Sequence, residues 1–320
     1  TAVAMLAMLN VAVGGYQAAL LAPSEVLASQ HFQSLVQAIG QHCSIGLLTR
    51  TQQAFSQSGQ VIDKITKVKL ISQIASGDCQ LVIGTQALLQ EKISFHHLAL
   101  LVVDEQQRFG VEQRQLLLNK KLFHPNDSKL VPHFLAMTAT PIPRSLALTL
   151  YGDLSLSVIK EMPAGRLPVI TKVITAKQRQ SMYQLVRQLL GAGQQAFIVC
   201  PLIDESDKLT AKAVTTEFET LTATELAGYK VGLLHGRLSS ADKQTVMADF
   251  AAGRLQALVA TAVIELGIDV PGATVMIIES AERFGLAQLH QYRGRVGRRG
   301  QQAYCFLLSD DHSDLAQKRL

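Results

Sequence analysis

The feature that most constrains the fold of this chain is a series of short, almost continuously apolar runs separated by helical patterns. Apolar residues recur at helical spacing between several of these runs, as in SEVLASQHFQSLVQAIG. Strands that are apolar along their whole length are typical of parallel sheets, in which helices cover both faces. The pattern therefore predicts an α/β fold, with strands at AALLAP, CSIGLLT, CQLVIGT, LALLVVDE, HFLAMTAT, QAFIVCPLI, VGLLHG, LQALVAT, TVMIIES and AYCFLLS.

The two halves of the chain share a local pattern. SGDCQLVIGT (76–85) and AGRLQALVAT (252–261) both contain Gly-x-x-Gln, followed by apolar residues and a Thr. A strand that ends on an acidic residue follows each of them, LALLVVDE in the first half and ATVMIIES in the second. This recurrence predicts duplicated α/β lobes. We place them at residues 1–160 and 161–320, with PAGRLP (163–168) as the linker, because it is rich in Pro and Gly.

Composition narrows the class of protein. With 48% hydrophobic residues, 320 residues are ample for two globular domains, and a net charge of +5 gives weak support for a polyanionic partner. The four cysteines contain no Cys-x-x-Cys pair, which argues against structural zinc and favours a reducing cytosol. We interpret them as ordinary core residues.

The opening stretch AVAMLAMLNVAVGG resembles a signal peptide only superficially. It has no basic segment before it, and Asn10 and the Gly14–Gly15 pair interrupt it well before the roughly 20 apolar residues that a membrane span needs. We predict a buried helix followed by a turn, and no membrane association. Because the chain begins at Thr1 and ends in AQKRL, we expect it to be a fragment of a longer protein, with proteolytic processing as the alternative.

Two carboxylates, Asp104 and Glu105, end the run LALLVVDE. In an open parallel sheet, ligands bind at the carboxyl ends of the strands. One carboxylate there can hold Mg²⁺, and a second beside it can orient a water for attack on a phosphate. The alternative is a solvated strand end.

Two further stretches suit phosphate chemistry. AMTATPIPRSLAL ends a strand on two hydroxyls, Thr138 and Thr140, which can relay hydrogen bonds from a phosphate site; alone, it would be an ordinary turn. QYRGRVGRRG places arginines among glycines, which suits phosphate recognition because the guanidinium fork matches phosphate oxygens. The alternative for this segment is a solvated basic loop.

Taken together, these stretches resemble one protein family. LAPSEVLASQH, VIGTQALL, VVDEQQRFG, MTATPIPR, VATAVIELGIDVP and QLHQYRGRVGRRG follow the order and approximate spacing of a superfamily-2 helicase motor. The sequences of these motifs are similar to those of the RecG-type ATP-dependent DNA helicases, with the transcription-repair coupling translocases as nearest relatives. HGRL, DVPGATVMIIE and the absence of a polymerase-binding region favour the RecG side. The resemblance implies two tandem RecA-like domains, each a mostly parallel sheet with helices on both faces.

The resemblance also implies roles for residues around ATP. Asp104 is expected to hold Mg²⁺, and Glu105 to position the hydrolytic water. Both acids are expected to converge with second-lobe arginines on one triphosphate between the lobes. The other residues implied at the nucleotide are Arg295, Arg298 and Gln291 at the γ-phosphate, Asp269 at the lobe interface, and Thr138 and Thr140 as coupling residues.

Nucleic-acid contacts are implied on the opposite rim. Thr85 and Thr261, at the ends of the repeated pattern, are expected to hold a strand at one point per lobe. Contacts to the sugar–phosphate backbone carry no sequence information, so binding is expected to be sequence-independent and salt-sensitive. The residues implied are Pro23, Ser24, Glu25, Gly84, Thr85, His235, Gly236 and Thr261.

The chain departs from the family pattern in two places. The family usually has DEQH where this chain has Gln107 as the last residue, so we expect altered coupling between the ATP and nucleic-acid sites rather than loss of hydrolysis. No G-x-x-x-x-G-K-[ST] phosphate loop occurs in the 320 residues, and Thr1 lies where its final Thr would be. We therefore expect little or no ATPase activity from the isolated chain.

The function implied is an ATP-dependent motor on double-stranded or branched DNA, such as replication forks and Holliday junctions. It would act in repair and recombination, as a cytoplasmic monomer. Three alternatives stay open: a repair-coupling translocase, a nucleic-acid-binding remnant that does not hydrolyse ATP, and an RNA helicase. A flanking polymerase-binding domain, an upstream phosphate loop and the relative stimulation by DNA and RNA distinguish them.

Overall fold

The computed structural model describes residues 1–62, 65–90, 92–106, 109, 132–138, 155–159, 161, 165–201, 207–261, 270, 272–298 and 300–309. The chain divides into two compact units, which we call the first lobe (Thr1–Pro141) and the second lobe (Ile142–Leu320). The boundary predicted at residue 160 stays a prediction, since residues 162–164 of the proposed linker lie outside the described residues.

The first lobe contains a seven-stranded sheet in the order β4-β3-β2-β5-β1-β6-β7. The five strands β2, β5, β1, β6 and β7 are adjacent in this order and pair in parallel, as predicted. At one edge, β3 pairs antiparallel with both β2 and β4. The elements are α1 (Ala2–Val13), β1 (Gln17–Leu21), α2 (Glu25–Ile39), β2 (Ile45–Leu48), β3 (Gln53–Gln57), β4 (Gln60–Ile62), α3 (Lys67–Ser76), β5 (Leu81–Gly84), β6 (Leu98–Val103) and β7 (His133–Ala136).

The hairpin of β3 and β4 was not predicted. Its strands contain Gln and Ser, so no apolar run marks them, and β4 is exposed along its length. The connection is a tight turn in which Ser58 and Gly59 both have positive φ, 52° and 77°. Phe55 of β3 is buried in the core, but the polar residues on either side of it leave no apolar run in the sequence, so hydrophobic patterning does not detect the hairpin.

Both faces of the first-lobe sheet are covered, because side chains of a strand alternate between faces. Ala19 and Leu21 of β1 pack with Leu70 and Ile74 of α3 on one face. Ala18 and Leu20 pack on the other face with residues of α1 and α2, including Ala4, Met8, Phe32 and Leu35. The predicted burial of α1 holds for one side of that helix only, since Val3, Leu6 and Val13 are exposed.

The second lobe contains a six-stranded parallel sheet in the order β10-β11-β9-β12-β13-β8. The edge strand β8 was not predicted because Thr171 and Lys172 interrupt its apolar residues; four of its five residues are exposed. The elements are β8 (Ile170–Ile174), α4 (Arg179–Gly191), β9 (Gln195–Val199), α5 (Asp207–Ala223), β10 (Val231–Leu234), α6 (Ser240–Ala251), β11 (Ala257–Ala260), β12 (Ala273–Ile278), α7 (Leu286–Arg293) and β13 (Tyr304–Leu308).

The core of the second lobe repeats the arrangement of the first. Phe197 and Val199 of β9 face a cluster that includes Phe250 of α6 and Tyr292 of α7. Ala196 and Ile198 face the other cluster, formed with residues of α4 and α5. The two tandem RecA-like lobes with helices on both faces are therefore confirmed.

Strand order confirms the predicted duplication. In the first lobe, β1 lies between β5 and β6, and in the second lobe β9 lies between β11 and β12. A buried glutamine begins each central strand: Gln17 Nε2 donates to Ile74 O and Cys79 O, and Gln195 Nε2 donates to Phe250 O and Leu255 O. In each lobe, one of the two carbonyls lies near the end of a helix, α3 or α6. The other lies in the turn between that helix and the strand that follows it, β5 or β11.

Two smaller expectations concern cysteines and membranes. All four cysteines are buried and form no disulfide, as expected of core residues. Within the part of the chain that the structure describes, no helix is long and apolar enough to cross a bilayer.

Candidate active site and nucleic-acid interface

The carboxyl edge of the first-lobe sheet brings several predicted site residues together. Asp104 N donates to Leu21 O at 2.9 Å, which places the predicted metal ligand beside the end of β1. Ala22 N donates to Gly84 O at 2.8 Å, and Met137 N to Val103 O at 2.8 Å. The ends of β5, β1, β6 and β7 therefore lie side by side, as expected of neighbouring parallel strands.

The Asp104 carboxylate is held by two donors. His31, on the buried face of α2, places its Nε2 2.8 Å from Oδ2 of Asp104. The backbone N–H of Glu105 donates to Oδ1 at 3.0 Å. Since a carboxylate only accepts hydrogen bonds, Nε2 of His31 carries the proton in this contact. The carboxylate side chain keeps 19% of its surface exposed, so it is oriented but still open to a ligand.

Glu105 has an unusual backbone conformation. Its φ is 48°, in the left-handed region, and only 9% of the residue is exposed. A non-glycine residue in this region costs about 1–3 kcal/mol and is often found at functional sites. Here the turn aims the Glu105 N–H at Asp104 and brings Gln106 N to Met137 O at 3.3 Å, across to the end of β7.

The donor set fits Mg²⁺ bound together with a nucleotide. Each oxygen of Asp104 accepts one hydrogen bond among the described residues, so each has a lone pair left for a cation. No group of three His, Cys, Asp or Glu side chains that could hold a metal occurs among the described residues. Mg²⁺ is commonly bound through one or two carboxylates plus phosphate oxygens and water, and the single oriented carboxylate suits that mode.

The segment Pro23–Glu25 follows β1 at the same edge. The Ser24 hydroxyl caps α2 by accepting from Leu27 N at 3.3 Å. Glu25 accepts hydrogen bonds from the backbone N–H of Thr51 at 3.1 Å and from its hydroxyl. The segment is thereby fixed in place and half-exposed.

Gly84 and Thr85 follow β5 next to this segment. A Cβ added to Gly84 would lie 2.3 Å from Leu48 O and 2.7 Å from Leu88 Cγ, so the strand end is packed too closely for a side chain. Thr85 is half-buried and precedes a short 3₁₀ helix, Gln86–Leu89. Glycine is required here by close packing, whatever it binds.

The expectation that nucleic-acid residues lie on the opposite rim is wrong for the first lobe. Pro23–Glu25 follow β1, which lies next to β6, the strand that ends at Asp104, and Gly84–Thr85 follow β5 on the other side of β1, so all three lie at one edge of the sheet. The reason is topological, because parallel neighbouring strands all end at the same edge.

In the second lobe, His235 and Thr261 follow the neighbouring strands β10 and β11, and Thr261 N donates to Leu234 O at 3.2 Å. Both carry a buried polar atom, Nδ1 of His235 and Oγ1 of Thr261, that has no hydrogen-bond partner among the described residues. Burial, and then the charges of Lys243 and Arg237, lower the pKa of His235. These effects favour the neutral form of the imidazole. The exposed Gly236 accepts a hydrogen bond through its carbonyl from Lys243 Nζ at 2.6 Å.

The predicted arginines follow α7. Tyr292 of this helix is buried in the core against Phe284, with ring centroids 5.6 Å apart, while Gln291 and Arg295 are half-buried and Arg298 is exposed. Gly297 has φ 74°, and its N–H donates to Ala273 O, at the start of β12, at 3.2 Å. Gly297 therefore lies near the amino edge of the sheet, whereas His235 and Thr261 lie at the carboxyl edge.

The structure says less about the surroundings of the remaining predicted site residues. Thr138 is exposed two residues beyond β7, and Thr1 precedes α1 without a side-chain cap. Gln107, Thr140 and Asp269 lie outside the described residues. The roles assigned to all these residues, and the convergence of the acids and arginines on one triphosphate, stay predictions.

Sequence reasoning missed two groups that hold the strand ends. One is His31, which the sequence shows only as a histidine on the apolar side of a helix. The other surrounds Glu279, which follows β12: Arg179 donates to it at 2.8 Å and Tyr183 OH at 3.3 Å. The available signal was the acidic residue that ends ATVMIIES, in the position that Asp104 has in LALLVVDE.

Comparisons with known families agree with this architecture. The sequence profile of the DEAD/DEAH box helicase domain matches residues 1–149, and that of the helicase conserved C-terminal domain matches residues 178–300. The chain therefore carries the two domains of a helicase motor.

Individual relatives define the family more narrowly. The ATP-dependent DNA helicase RecG of Synechocystis is 47% identical over 321 residues, covering 100% of this chain and 36% of that protein. RecG of Thermotoga maritima is 46% identical over 325 residues, covering 100% of this chain and 39% of that protein. A solved structure of RecG bound to a three-way DNA junction has a TM-score of 0.74 and 43% identity, covering 100% of this chain and 39% of that one. The chain belongs to the RecG family, and it spans about two fifths of the length of these relatives.

Proposed function

We propose that this chain forms the motor of an ATP-dependent DNA helicase that remodels branched DNA. The observation that carries the proposal is the match along the whole chain to RecG, which has been solved on a three-way DNA junction. The oriented carboxylate of Asp104, at the carboxyl edge of the first-lobe sheet, supports it. We expect the protein to act as a monomer, since one chain supplies both lobes.

In this function Asp104 would hold the Mg²⁺ that accompanies ATP. When bound, that ion would supply charge stabilisation at the phosphate oxygens. Glu105 orients the attacking water and accepts its proton. Arg295 and Arg298 donate to the γ-phosphate, and Thr138 relays the nucleotide state toward the DNA segments.

Nucleic acid is held at the strand ends. The segments Pro23–Glu25 and Gly84–Thr85 of the first lobe offer backbone and hydroxyl donors to the phosphates. In the second lobe, Thr261 and His235 do the same, and their unpartnered buried atoms favour a ligand at this place. Hydrogen bonds to the sugar–phosphate backbone make binding independent of sequence, while nearby basic residues such as Lys243 make it weaken with salt.

The test is ATP hydrolysis by the full-length protein with branched DNA, linear DNA or RNA added. We expect Mg²⁺-dependent hydrolysis that branched DNA stimulates most. Asp104→Asn is expected to lower the rate by about 10²-fold or more, because the metal supplies several kcal/mol of charge stabilisation and each 1.4 kcal/mol is tenfold in rate.

Asp249→Asn is the matched control. This residue is an acid on α6 whose pair with Arg254 is largely exposed, so the rate is expected to stay at the wild-type value. Absence of DNA-stimulated hydrolysis in the wild type, or a fully active Asp104→Asn variant, would contradict the proposed function. Stronger stimulation by RNA than by DNA would replace the DNA helicase with an RNA helicase.

A further inference from the structure

His31 joins α2 to the predicted metal ligand across the packed core of the first lobe. The two residues are 73 positions apart, yet Nε2 of His31 and Oδ2 of Asp104 are 2.8 Å apart. Only 8% of the His31 side chain is exposed, compared with 19% for Asp104. The contact is therefore shielded from water on the histidine side, where a charge-assisted hydrogen bond is stronger than at a surface.

The imidazole has little freedom to move. His31 belongs to the buried side of α2 together with Ala28, Phe32 and Leu35. The helix itself is fixed at its first turn by the Ser24 cap. A ring held by packing on a well-anchored helix can impose its direction on a neighbouring carboxylate.

The second oxygen of the carboxylate is held independently. Glu105 N donates to Oδ1 at 3.0 Å, and the left-handed backbone of Glu105 sets the direction of that N–H. Rotation of the carboxylate about its Cβ–Cγ bond would break both hydrogen bonds. The plane of the carboxylate, and hence the direction of its remaining lone pairs, is determined by these two donors.

We propose that His31 is a positioning residue, which orients the Asp104 carboxylate for the divalent cation without contacting the cation or the nucleotide. This inference rests on the proposed function, in which Asp104 binds Mg²⁺ with ATP. Partners that hydrogen-bond to metal ligands orient those ligands, and removing such a partner commonly costs 10–100-fold in metal affinity.

A purely structural role for His31 predicts something different. If the ring only fills space in the core, a leucine of similar size would preserve metal binding. The variant could then be less stable, but its metal affinity would not change. A positioning role predicts that the N–H donor matters and that the volume does not.

The experiment measures Mn²⁺ binding to the full-length protein in the presence of ADP, by electron paramagnetic resonance. The Mg²⁺ concentration for half-maximal ATPase activity is measured alongside it. His31→Leu is expected to weaken Mn²⁺ binding by about 10–100-fold and to raise the Mg²⁺ requirement similarly. His31→Gln is expected to restore most of the affinity, since the amide nitrogen of Gln lies as many bonds from Cα as Nε2 of His does.

Phe32→Leu provides the control for packing. Phe32 is buried beside His31 on α2 but has no hydrogen-bond donor to offer Asp104, so this variant is expected to lower the melting temperature and leave Mn²⁺ affinity unchanged. If His31→Leu binds Mn²⁺ like the wild type, or if His31→Gln is as weak as His31→Leu while still folded, the positioning role is wrong. Failure of the proposed function is a separate result, because the wild type itself would then show no nucleotide-dependent Mn²⁺ binding and no ATPase activity.

Discussion

The two lobes place a carboxylate at the same point of the fold and hold it in different ways. Asp104 N donates to the last carbonyl of β1 and Glu279 N to the last carbonyl of β9, both at 2.9 Å. In each lobe the backbone of the next residue, Glu105 or Ser280, lies in the left-handed region with φ 48°. Two lobes that differ in sequence thus share even an unfavourable backbone conformation at this turn.

The partners of the two carboxylates differ. In the second lobe, the guanidinium of Arg179 lies 2.8 Å from Glu279 and also contacts Glu217 at 3.3 Å and Glu225 at 3.8 Å. Burial raises the pKa of Glu279, and Arg179 acts in the opposite direction. A permanent cation of the protein thereby compensates this carboxylate.

In the first lobe, the ring N–H of His31 and a backbone N–H donate to the equivalent carboxylate, Asp104. Its side chain is 19% exposed, compared with 13% for Glu279. Hydrogen bonds orient a carboxylate without occupying the place of a metal ion, whereas a guanidinium at 2.8 Å takes that place. The comparison teaches that the same strand-end position can hold an accessible carboxylate in one lobe and a carboxylate paired with a guanidinium in the other, and we propose metal binding only for the first.

The largest expected effect distinguishes the residues that follow the two carboxylates. Glu105→Gln removes the proposed proton acceptor and is expected to lower DNA-stimulated ATPase activity about 10²–10⁴-fold, the usual contribution of a general base. Ser280→Ala changes the equivalent residue of the second lobe and is expected to leave the rate unchanged. Steady-state hydrolysis by the full-length protein measures both, and equal rates in the two variants would remove the proposed difference between the lobes.

A smaller effect is expected on the stability of the second lobe. Arg179→Met leaves Glu279 buried without its cation, at a cost toward the lower end of the roughly 3–5 kcal/mol typical of broken buried pairs, because Arg179 is one-third exposed. Urea unfolding measures this loss. Arg254→Met, at the exposed pair with Asp249, is the control and is expected to cost less than about 1 kcal/mol.

The pH dependence of the Arg179→Met effect has a definite sign. Without Arg179, burial and then the charge of Glu217 raise the pKa of Glu279 in the folded state, and only the hydrogen bond from Tyr183 opposes them. A raised carboxyl pKa means that the folded state binds the proton more tightly, so the stability deficit is small below about pH 4 and grows as the pH rises through the ordinary Glu range. A deficit that is independent of pH would show that the loss comes from packing instead.

The smallest effect compares two helix caps. Ser24 accepts a hydrogen bond from Leu27 N at the start of α2, and Ser239 accepts one from Asp242 N at the start of α6. Replacing either with Ala is expected to cost about 1 kcal/mol of stability. Only Ser24→Ala is expected to weaken DNA binding as well, measured by fluorescence anisotropy at fixed salt. Equal DNA affinities of the two variants would argue against a nucleic-acid role for Ser24.

Elements with a strong apolar signal were predictable and those without one were not. The buried strands of both lobes follow from their runs of aliphatic residues. The hairpin of β3 and β4 and the edge strand β8 carry polar or exposed residues, so their pairing depends on neighbouring strands rather than on their own pattern. The one-sided burial of α1 was missed for the opposite reason, because apolar residues lie on all sides of this helix and do not mark which side is buried.

The sequence alone determined that Asp104 and Glu105 end a buried strand, and that an acidic residue ends the matching strand of the repeat. Local order suffices for this, because hydrophobic runs and their terminating residues are adjacent in the chain. Only the tertiary structure decided which side chain holds each carboxylate, since His31 is 73 residues from Asp104 and Arg179 is 100 residues from Glu279. Contacts at such separations arise from the packing of helices on a sheet, and no spacing along the chain encodes them.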